Sequence, residues 1–501
     1  MLNLRRINFE IIMAILLGST LCLSFPPINL YYLVFVTITI FILILEKSNN
    51  KFLFGYLFYF IAVNFFIDKW FSIYFMSQLD LGFSLSYLIT ICISLYTGLY
   101  VGIISYIYSR IKTKFLWFNL LFLFPSLWVM TELIRGLIFP RSWYAIGNTQ
   151  ITNIFLKGWY PVFGVYFVSW LVLAVCGAII YIILNIFLYK KYKVAMYSWL
   201  LLILFNVISY KISDIQYTHK NGSIFSVNLV QPNIFSSKIF SYANQKSLED
   251  EVYSLVEKTH ANLIILPETV FNVNYQYLTK GYLKKLYELI IRKKSNLFFG
   301  SSLYQSNSSM TGTLYLNKLI PVYKKHFLVP IGEYIPLIKY FPNKILDIIF
   351  KKFNFSIPHY ISGEYHQEPF ELNGNKFSFN ICYENAINDY VAQNSINATV
   401  IINQSDISWY GKTYMKDLSL QLSQVRALEN QRFVLQDSTT AETAVINNHG
   451  IVIKILPSFT KGNLSEFIQG YSGRTPFETM LNFPVWFICI LFIFIAYILK
   501  K

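Results

Sequence analysis

Eight stretches of this chain stay apolar for about the length of a bilayer crossing. They run at roughly residues 9–26, 29–45, 52–70, 82–108, 115–139, 159–189, 194–211 and 482–499, the last reading NFPVWFICILFIFIAYIL. A spanning helix takes about 20 mostly apolar residues, because in hydrocarbon only its own ladder satisfies its backbone amides. The pattern predicts eight transmembrane helices, seven of them before residue 215. Composition agrees: 55% of residues are hydrophobic and only 14% charged, against about a quarter charged in a soluble protein. The first run follows Arg5 and Arg6 like a signal peptide. Leu21 nevertheless stands where cleavage before Cys22 needs a small residue, and Pro26-Pro27 leads straight into the second run, so the first is expected to be retained.

The basic residues give an orientation. With the N-terminus in the cytoplasm, that side receives Arg5, Arg6, Lys47, Lys51, Arg110, Lys112, Lys114, Lys190, Lys191, Lys193, Lys500 and Lys501, while the opposite short loops hold Lys69, Arg141 and Lys157. The segment 215–481 then lies outside the cytoplasm, between a seven-helix region at 1–214 and a last helix in 482–501. The formal net charge of +16 is explained by this bias, so no nucleic-acid partner is expected. Glu132 and Arg135, in WVMTELIRG, stand three apart on one helical face, a spacing that lets them pair and turns them toward protein or water.

The outer segment has another texture. IFSVNLVQPN (224–233), ANLIILPETV (261–270), NLFFGSSLY (296–304), TLYLNKLIPVYKKHFLVP, FSFNICYE, ATVIINQS and RFVLQDST read as strands, with polar helical stretches at 245–260 and 278–294 between the first three. Continuous runs such as LIIL suit strands buried on both faces, and the alternation predicts an α/β domain. Within it, KFSFNICYENAIND (376–389) changes from strand alternation to a polar, helix-compatible stretch at Cys382. Of the five cysteines, Cys22, Cys92, Cys176 and Cys489 lie in apolar runs, which leaves Cys382 alone in the polar part of the chain, without an obvious disulfide partner. Such a thiol is a small buried hydrophobe or a nucleophile. A nucleophile needs a base and, for an acyl substrate, positive charge near the developing oxyanion. None of the six histidines stands in a suitable motif or in a metal-ligand spacing. Carboxylates and a lysine do stand at strand ends: Glu268 after ANLIILP, and Lys325 and Glu333 within YKKHFLVPIGEYIP.

A Glu, a Lys and a Cys at strand ends, in LPET, YKKHFLVPIGEYIP and ICYE, resemble the triad of the nitrilase superfamily. With the eight spans, SFPP near the start and WVMTELIRG in the fifth, the whole chain resembles the bacterial apolipoprotein N-acyltransferases. The resemblance implies an α-β-β-α sandwich between membrane helices, on the periplasmic side of a bacterial inner membrane. It implies Glu268 as general base, Cys382 as acylated nucleophile and Lys325 as oxyanion support, Lys325 being chosen over Lys324 by counting eight back from Glu333. Glu333 would support the triad, and Tyr383 and Glu384 would line the site. The expected partners are a phospholipid acyl donor and a diacylglyceryl apolipoprotein; no cofactor or metal is implied, and a monomer is expected. Both substrates carry acyl chains whose extraction costs about 0.8 kcal/mol per CH₂, which argues for a site within reach of the outer leaflet. FPNKILDIIFKKFNFSIPHY (341–360) is a candidate lid or membrane-dipping loop.

Departures from the family pattern concern loops. Phe240 stands where the family has a tryptophan, SDISWYG (with Ser405, Asp406, Trp409 and Tyr410) replaces N-D-A-W-F-G, and Thr439-Thr440-Ala441 replaces N-T-G. Two other classes fit the sequence less well: a membrane-anchored amidase that passes the acyl group to water, and a transporter or scaffold, which the sparse intramembrane charge disfavours.

Overall fold

The computed structural model describes residues 2–79, 81–138, 142–235, 245–271, 273–305, 308–330, 332–334 and 360–500. Phe240, and the candidate lid apart from Tyr360, lie outside the described residues. By contacts the chain divides into two units, Met1–Ser72 with Phe83–Tyr217 and Thr475–Lys501, and Ile73–Gly82 with Thr218–Arg474.

The first unit is helical. Helices occupy each of the eight apolar runs: Leu2–Cys22, Leu33–Lys47, Lys51–Leu79, Phe83–Ile111, Leu116–Leu137, Lys157–Phe187, Tyr192–Ile212 and Phe483–Leu499. Among the described residues, four of these are long and apolar enough to cross a membrane: Phe83–Ile111, Leu116–Leu137, Lys157–Phe187 and Tyr192–Ile212. The first run ends as a helix at Cys22 rather than at 26, and the third continues to Leu79 rather than 70. That extension carries the polar and aromatic stretch IYFMSQL, whose contacts lie with the second unit.

Glu132 and Arg135 are buried, but among the described residues they form no ion pair with each other. Glu132 accepts hydrogen bonds from the Ile146 amide (3.0 Å) and the Trp128 indole (3.2 Å), while Arg135 donates to the Tyr59 hydroxyl and lies over the Tyr144 ring. Glu132 is thus held by its own helix and by the segment at Ile146, and Arg135 by Tyr59 and Tyr144 of other segments.

The second unit consists of two six-stranded sheets packed face to face. In the first the order is β12-β1-β2-β3-β4-β5, from β1 (Thr218–Gln231), β2 (Leu263–Ile265), β3 (Asn296–Gln305), β4 (Ser308–Tyr315), β5 (Ile320–Lys324) and β12 (Gly462–Gly473). In the second it is β11-β10-β9-β8-β7-β6, from β6 (Phe370–Leu372), β7 (Asn375–Ile381), β8 (Val400–Ser405), β9 (Phe433–Ser438), β10 (Thr443–Ile446) and β11 (Val452–Leu456). Each sheet has three parallel strands, β1 to β3 and β7 to β9, flanked by antiparallel ones.

The continuous apolar runs are explained by burial on both faces. In β2, Leu263 and Ile265 face the opposite sheet with Phe298, Phe379 and Ile402, while Ile264 packs outward with Val252, Leu286 and Ile290 of the helices Gln245–Glu257 and Tyr282–Arg292. In β8, Val400 and Ile402 face inward and Ile401 packs outward with Val391 and Ala427, from the helices Asn388–Ser395 and Met415–Asn430. The unit is thus an α-β-β-α sandwich, and each fully buried aliphatic side chain contributes about 1.5–3 kcal/mol to it.

Candidate active site

Strands that run side by side deliver the residues after them to one edge of a sheet, where open α/β sheets place their ligands. Glu268 comes after β2, Lys325 after β5, Cys382 after β7 and Asp406 after β8. Glu268 and Lys325 follow strands of the first sheet, 57 positions apart in sequence, and Cys382 and Asp406 follow strands of the second; the Asp406 amide on Glu268 joins the two edges. Lys325 Nζ donates to Glu268 Oε1 at 3.1 Å and to Glu333 Oε1 at 2.8 Å, and all three side chains are buried or nearly so. Lys324, the alternative by position, is the last residue of β5; its amide bonds the Gln367 side chain at 2.8 Å, and it takes no part in the ion pairs of Lys325.

Each carboxylate is held at its second oxygen. Glu268 Oε2 accepts the Asp406 amide at 2.9 Å, and Glu333 Oε2 accepts the Val329 amide at 2.7 Å. Asp406 is itself fixed, its Oδ1 accepting from the Ser408 amide (3.0 Å) and the Thr439 hydroxyl (2.5 Å). The departures SDISWYG and Thr439-Thr440 from the family pattern thus still build one hydrogen-bonded support under Glu268.

Cys382 stands at the end of β7 in a left-handed conformation, φ 51°, and opens a single 3-10 turn, Cys382–Ala386. A non-glycine residue in this region costs about 1–3 kcal/mol, and such strain is characteristic of nucleophiles raised on a strand-to-helix turn. The helix expected after Cys382 begins only at Asn388. Glu384 braces the turn: its Oε2 accepts from the Ile381 amide and the Tyr323 hydroxyl, both at 2.7 Å, and its Oε1 from the amides of His326 (2.7 Å) and Phe327 (3.1 Å). One buried carboxylate thereby ties the cysteine turn to the segment carrying Lys325. Tyr383 is buried and Trp409 half-buried, the Trp409 carbonyl accepting from the Ser77 hydroxyl at 2.7 Å.

The electrostatics separate the roles. Burial pushes the Cys382 thiol well above its ordinary value; Glu268 adds to this, Lys325 opposes it, and Glu333 and Asp406 raise it further. These shifts favour the neutral thiol, so that a base would be required for the sulfur to act as a nucleophile. Burial also raises Glu268, with Lys325 opposing and Glu333 reinforcing, which makes it a stronger base than an exposed carboxylate. For Lys325 burial acts downward, but Glu268, Glu333 and Cys382 outweigh it and hold the ammonium charged. Among the described residues no three His, Cys, Asp or Glu side chains are arranged to hold a metal ion.

Several supports were not read from sequence. Gly300, in β3, lies so close to the Glu268 turn that an added Cβ would stand 2.6 Å from Glu268 Cα and from the Pro267 oxygen. A glycine inside the apolar run NLFFGSS was the available signal. The Tyr323 hydroxyl on Glu384 and the stacking of Tyr74 on Tyr410 (5.3 Å, 19°) have no local signature, since their partners lie far away in sequence.

Comparison with known proteins divides the chain in the same way. The model of the apolipoprotein N-acyltransferase N-terminal domain matches residues 17–178, and that of the carbon-nitrogen hydrolases matches residues 227–475. The chain is 30% identical over 364 residues to an apolipoprotein N-acyltransferase of Neisseria meningitidis serogroup A, covering 70% of each chain. It is 27% identical over 504 residues to that of Coxiella burnetii, covering 97% of this chain and 99% of the relative. With that of Nitrosomonas europaea it shares 27% identity over 491 residues, 95% and 94% of the two chains. The two-sheet unit is accordingly a nitrilase-like α/β domain.

Proposed function

The chain belongs to the apolipoprotein N-acyltransferase family, and on that premise we propose that it moves an acyl chain from a phospholipid to the α-amine of a diacylglyceryl-cysteine at the N-terminus of an apolipoprotein, through a thioester on Cys382. The observation that carries this reading is the buried Lys325 ammonium held between Glu268 (3.1 Å) and Glu333 (2.8 Å), with Cys382 at the end of β7 in the same unit.

In the first half-reaction Glu268 takes the proton from Cys382 as the sulfur attacks the ester carbonyl. Negative charge develops on the carbonyl oxygen and is held by the Lys325 ammonium. Collapse breaks the ester C–O bond, Glu268 returns the proton to the departing glyceryl oxygen, and a lysophospholipid leaves. In the second half the lipoprotein amine attacks the thioester carbon and Glu268 takes the amine proton. The C–S bond breaks, the proton passes to the Cys382 sulfur, and the amide is released. Glu333 and the Asp406 amide keep Lys325 and Glu268 in register, and Glu384 keeps the cysteine turn in place. No step draws on a metal or cofactor.

The reading includes eight membrane spans, a cytoplasmic N-terminus and a periplasmic segment 215–481 between 1–214 and 482–501, in a bacterial inner membrane, with the protein acting as a monomer. Acyl labelling tests the chemistry. Purified protein incubated with a labelled phospholipid is expected to acquire a hydroxylamine-sensitive adduct that Cys382→Ala lacks; an adduct persisting in the variant would remove Cys382 as nucleophile. Release of the acyl group by an amine acceptor, and not by water alone, distinguishes the transferase from an amidase.

A further inference from the structure

Tyr74 lies on the extension of the third helix that groups by contact with the α/β unit. Two contacts fix it there. Its ring stacks on Tyr410, and one turn later the Ser77 hydroxyl holds the Trp409 carbonyl at 2.7 Å, so both grip the short turn Ser408–Tyr410 that comes after β8 and Asp406. The side chain is 6% exposed, and its hydroxyl is buried with no hydrogen-bond partner among the described residues. That oxygen abuts Gly332: a Cβ built there would lie 2.2 Å from it. Gly332 directly precedes Glu333, whose carboxylate holds Lys325 at 2.8 Å, so the hydroxyl lies against the segment that carries this ion pair; Glu333, Lys325 and Cys382 also act on it electrostatically.

A phenol hydroxyl left buried and unpaired costs about 1–3 kcal/mol, which a substrate acceptor placed against it would recover. The resident groups do not supply one. Lys325 has no lone pair to offer, and Glu333, which accepts from Lys325 and from the Val329 amide, is not hydrogen-bonded to this hydroxyl. Of the reacting groups, the lipoprotein amine needs its lone pair for attack. The acyl carbonyl oxygen is an acceptor present in both half-reactions, and its demand for hydrogen bonds rises as it becomes an oxyanion.

We propose that the Tyr74 hydroxyl donates a hydrogen bond to the carbonyl oxygen of the acyl group as it reacts at Cys382, a second donor beside Lys325. This rests on the thioester reading above. It adds a substrate-contacting residue from outside the segments that carry the triad, on a helix continuous with an apolar span.

Tyr74→Phe tests it, because the variant keeps the ring on Tyr410 and loses only the hydroxyl. Full-length protein in phospholipid vesicles is assayed for two rates at Cys382: acylation by a labelled phospholipid, and alkylation by iodoacetamide, in which the same sulfur displaces iodide without forming an oxyanion. The folded fraction of each protein is measured separately, and both rates are taken per folded molecule. Acylation is expected to fall by about tenfold to a hundredfold with alkylation unchanged. Equal slowing of both would mean that Tyr74 tunes the thiol and would overturn the proposal, as would an unchanged acylation rate. A wild-type protein that forms no adduct would overturn the thioester reading and this inference with it; an adduct forming at the wild-type rate in the variant overturns this inference alone.

Discussion

At the scale of single residues, burial and neighbouring charges raise the proton affinities of Glu268, Lys325 and Cys382 above those of exposed side chains. In the proposed mechanism Glu268 must be ionised to take the Cys382 proton, and burial raises it above the ordinary carboxylate value of about 4.3. Acylation is therefore expected to decline on acidification through an apparent pKa above that value, and Glu268→Gln to slow it by about 10²- to 10⁴-fold. Because Glu333 is among the groups that raise Glu268, Glu333→Gln should move the acid limb of the pH–rate profile to lower pH. A limb that stays in place would show that Glu333 acts only through Lys325. These residue types were legible in the sequence because each ends an apolar run, yet the ordering of their proton affinities depends on burial and on neighbours far along the chain.

Among the secondary-structure elements, two contacts decide whether the strand ends meet. β3 passes the Glu268 turn at the distance of a glycine, so Gly300→Ala should cost about 1–3 kcal/mol, read as a lowered Tm, and should reduce acylation through a displaced Glu268. Glu384 joins β7 to the segment after β5 through four hydrogen bonds, and removing its carboxylate strands several buried donors, so Glu384→Ala should destabilise by about 3 kcal/mol or more. Burial raises this carboxyl to about 7, while in the unfolded chain it titrates near about 4.3. Its contribution to stability is full below the unfolded value and is lost as pH rises through the folded one. Denaturant unfolding of the wild type should therefore show a pH dependence between these values that Glu384→Gln reduces. Strand positions followed from apolar runs bounded by turn residues, but β6, β10, β11 and β12 did not emerge from them. β11, for example, is an edge strand with its three central residues exposed and only its ends half-buried, so burial imposes little pattern on its sequence.

For the whole molecule, charge placement predicts topology. Alkaline phosphatase fused after Gly473 should be active in cells, and the same enzyme fused after Lys112 inactive, since active phosphatase reports export. The reverse pattern would invert the proposed orientation. The sequence by itself determined that the chain has eight apolar helices and an α/β unit, because burial in lipid or between two layers demands long runs that no local competitor can mimic. It also supplied Glu268, Lys325 and Cys382 as candidates, through residue type and position at strand ends. Only the tertiary structure decided which lysine pairs with the carboxylates, that Glu132 and Arg135 part company, that Glu384 is a brace, and that Tyr74 reaches the turn after β8. Those outcomes are set by distances between residues far apart in the chain, and such distances exist only once the sheets have packed.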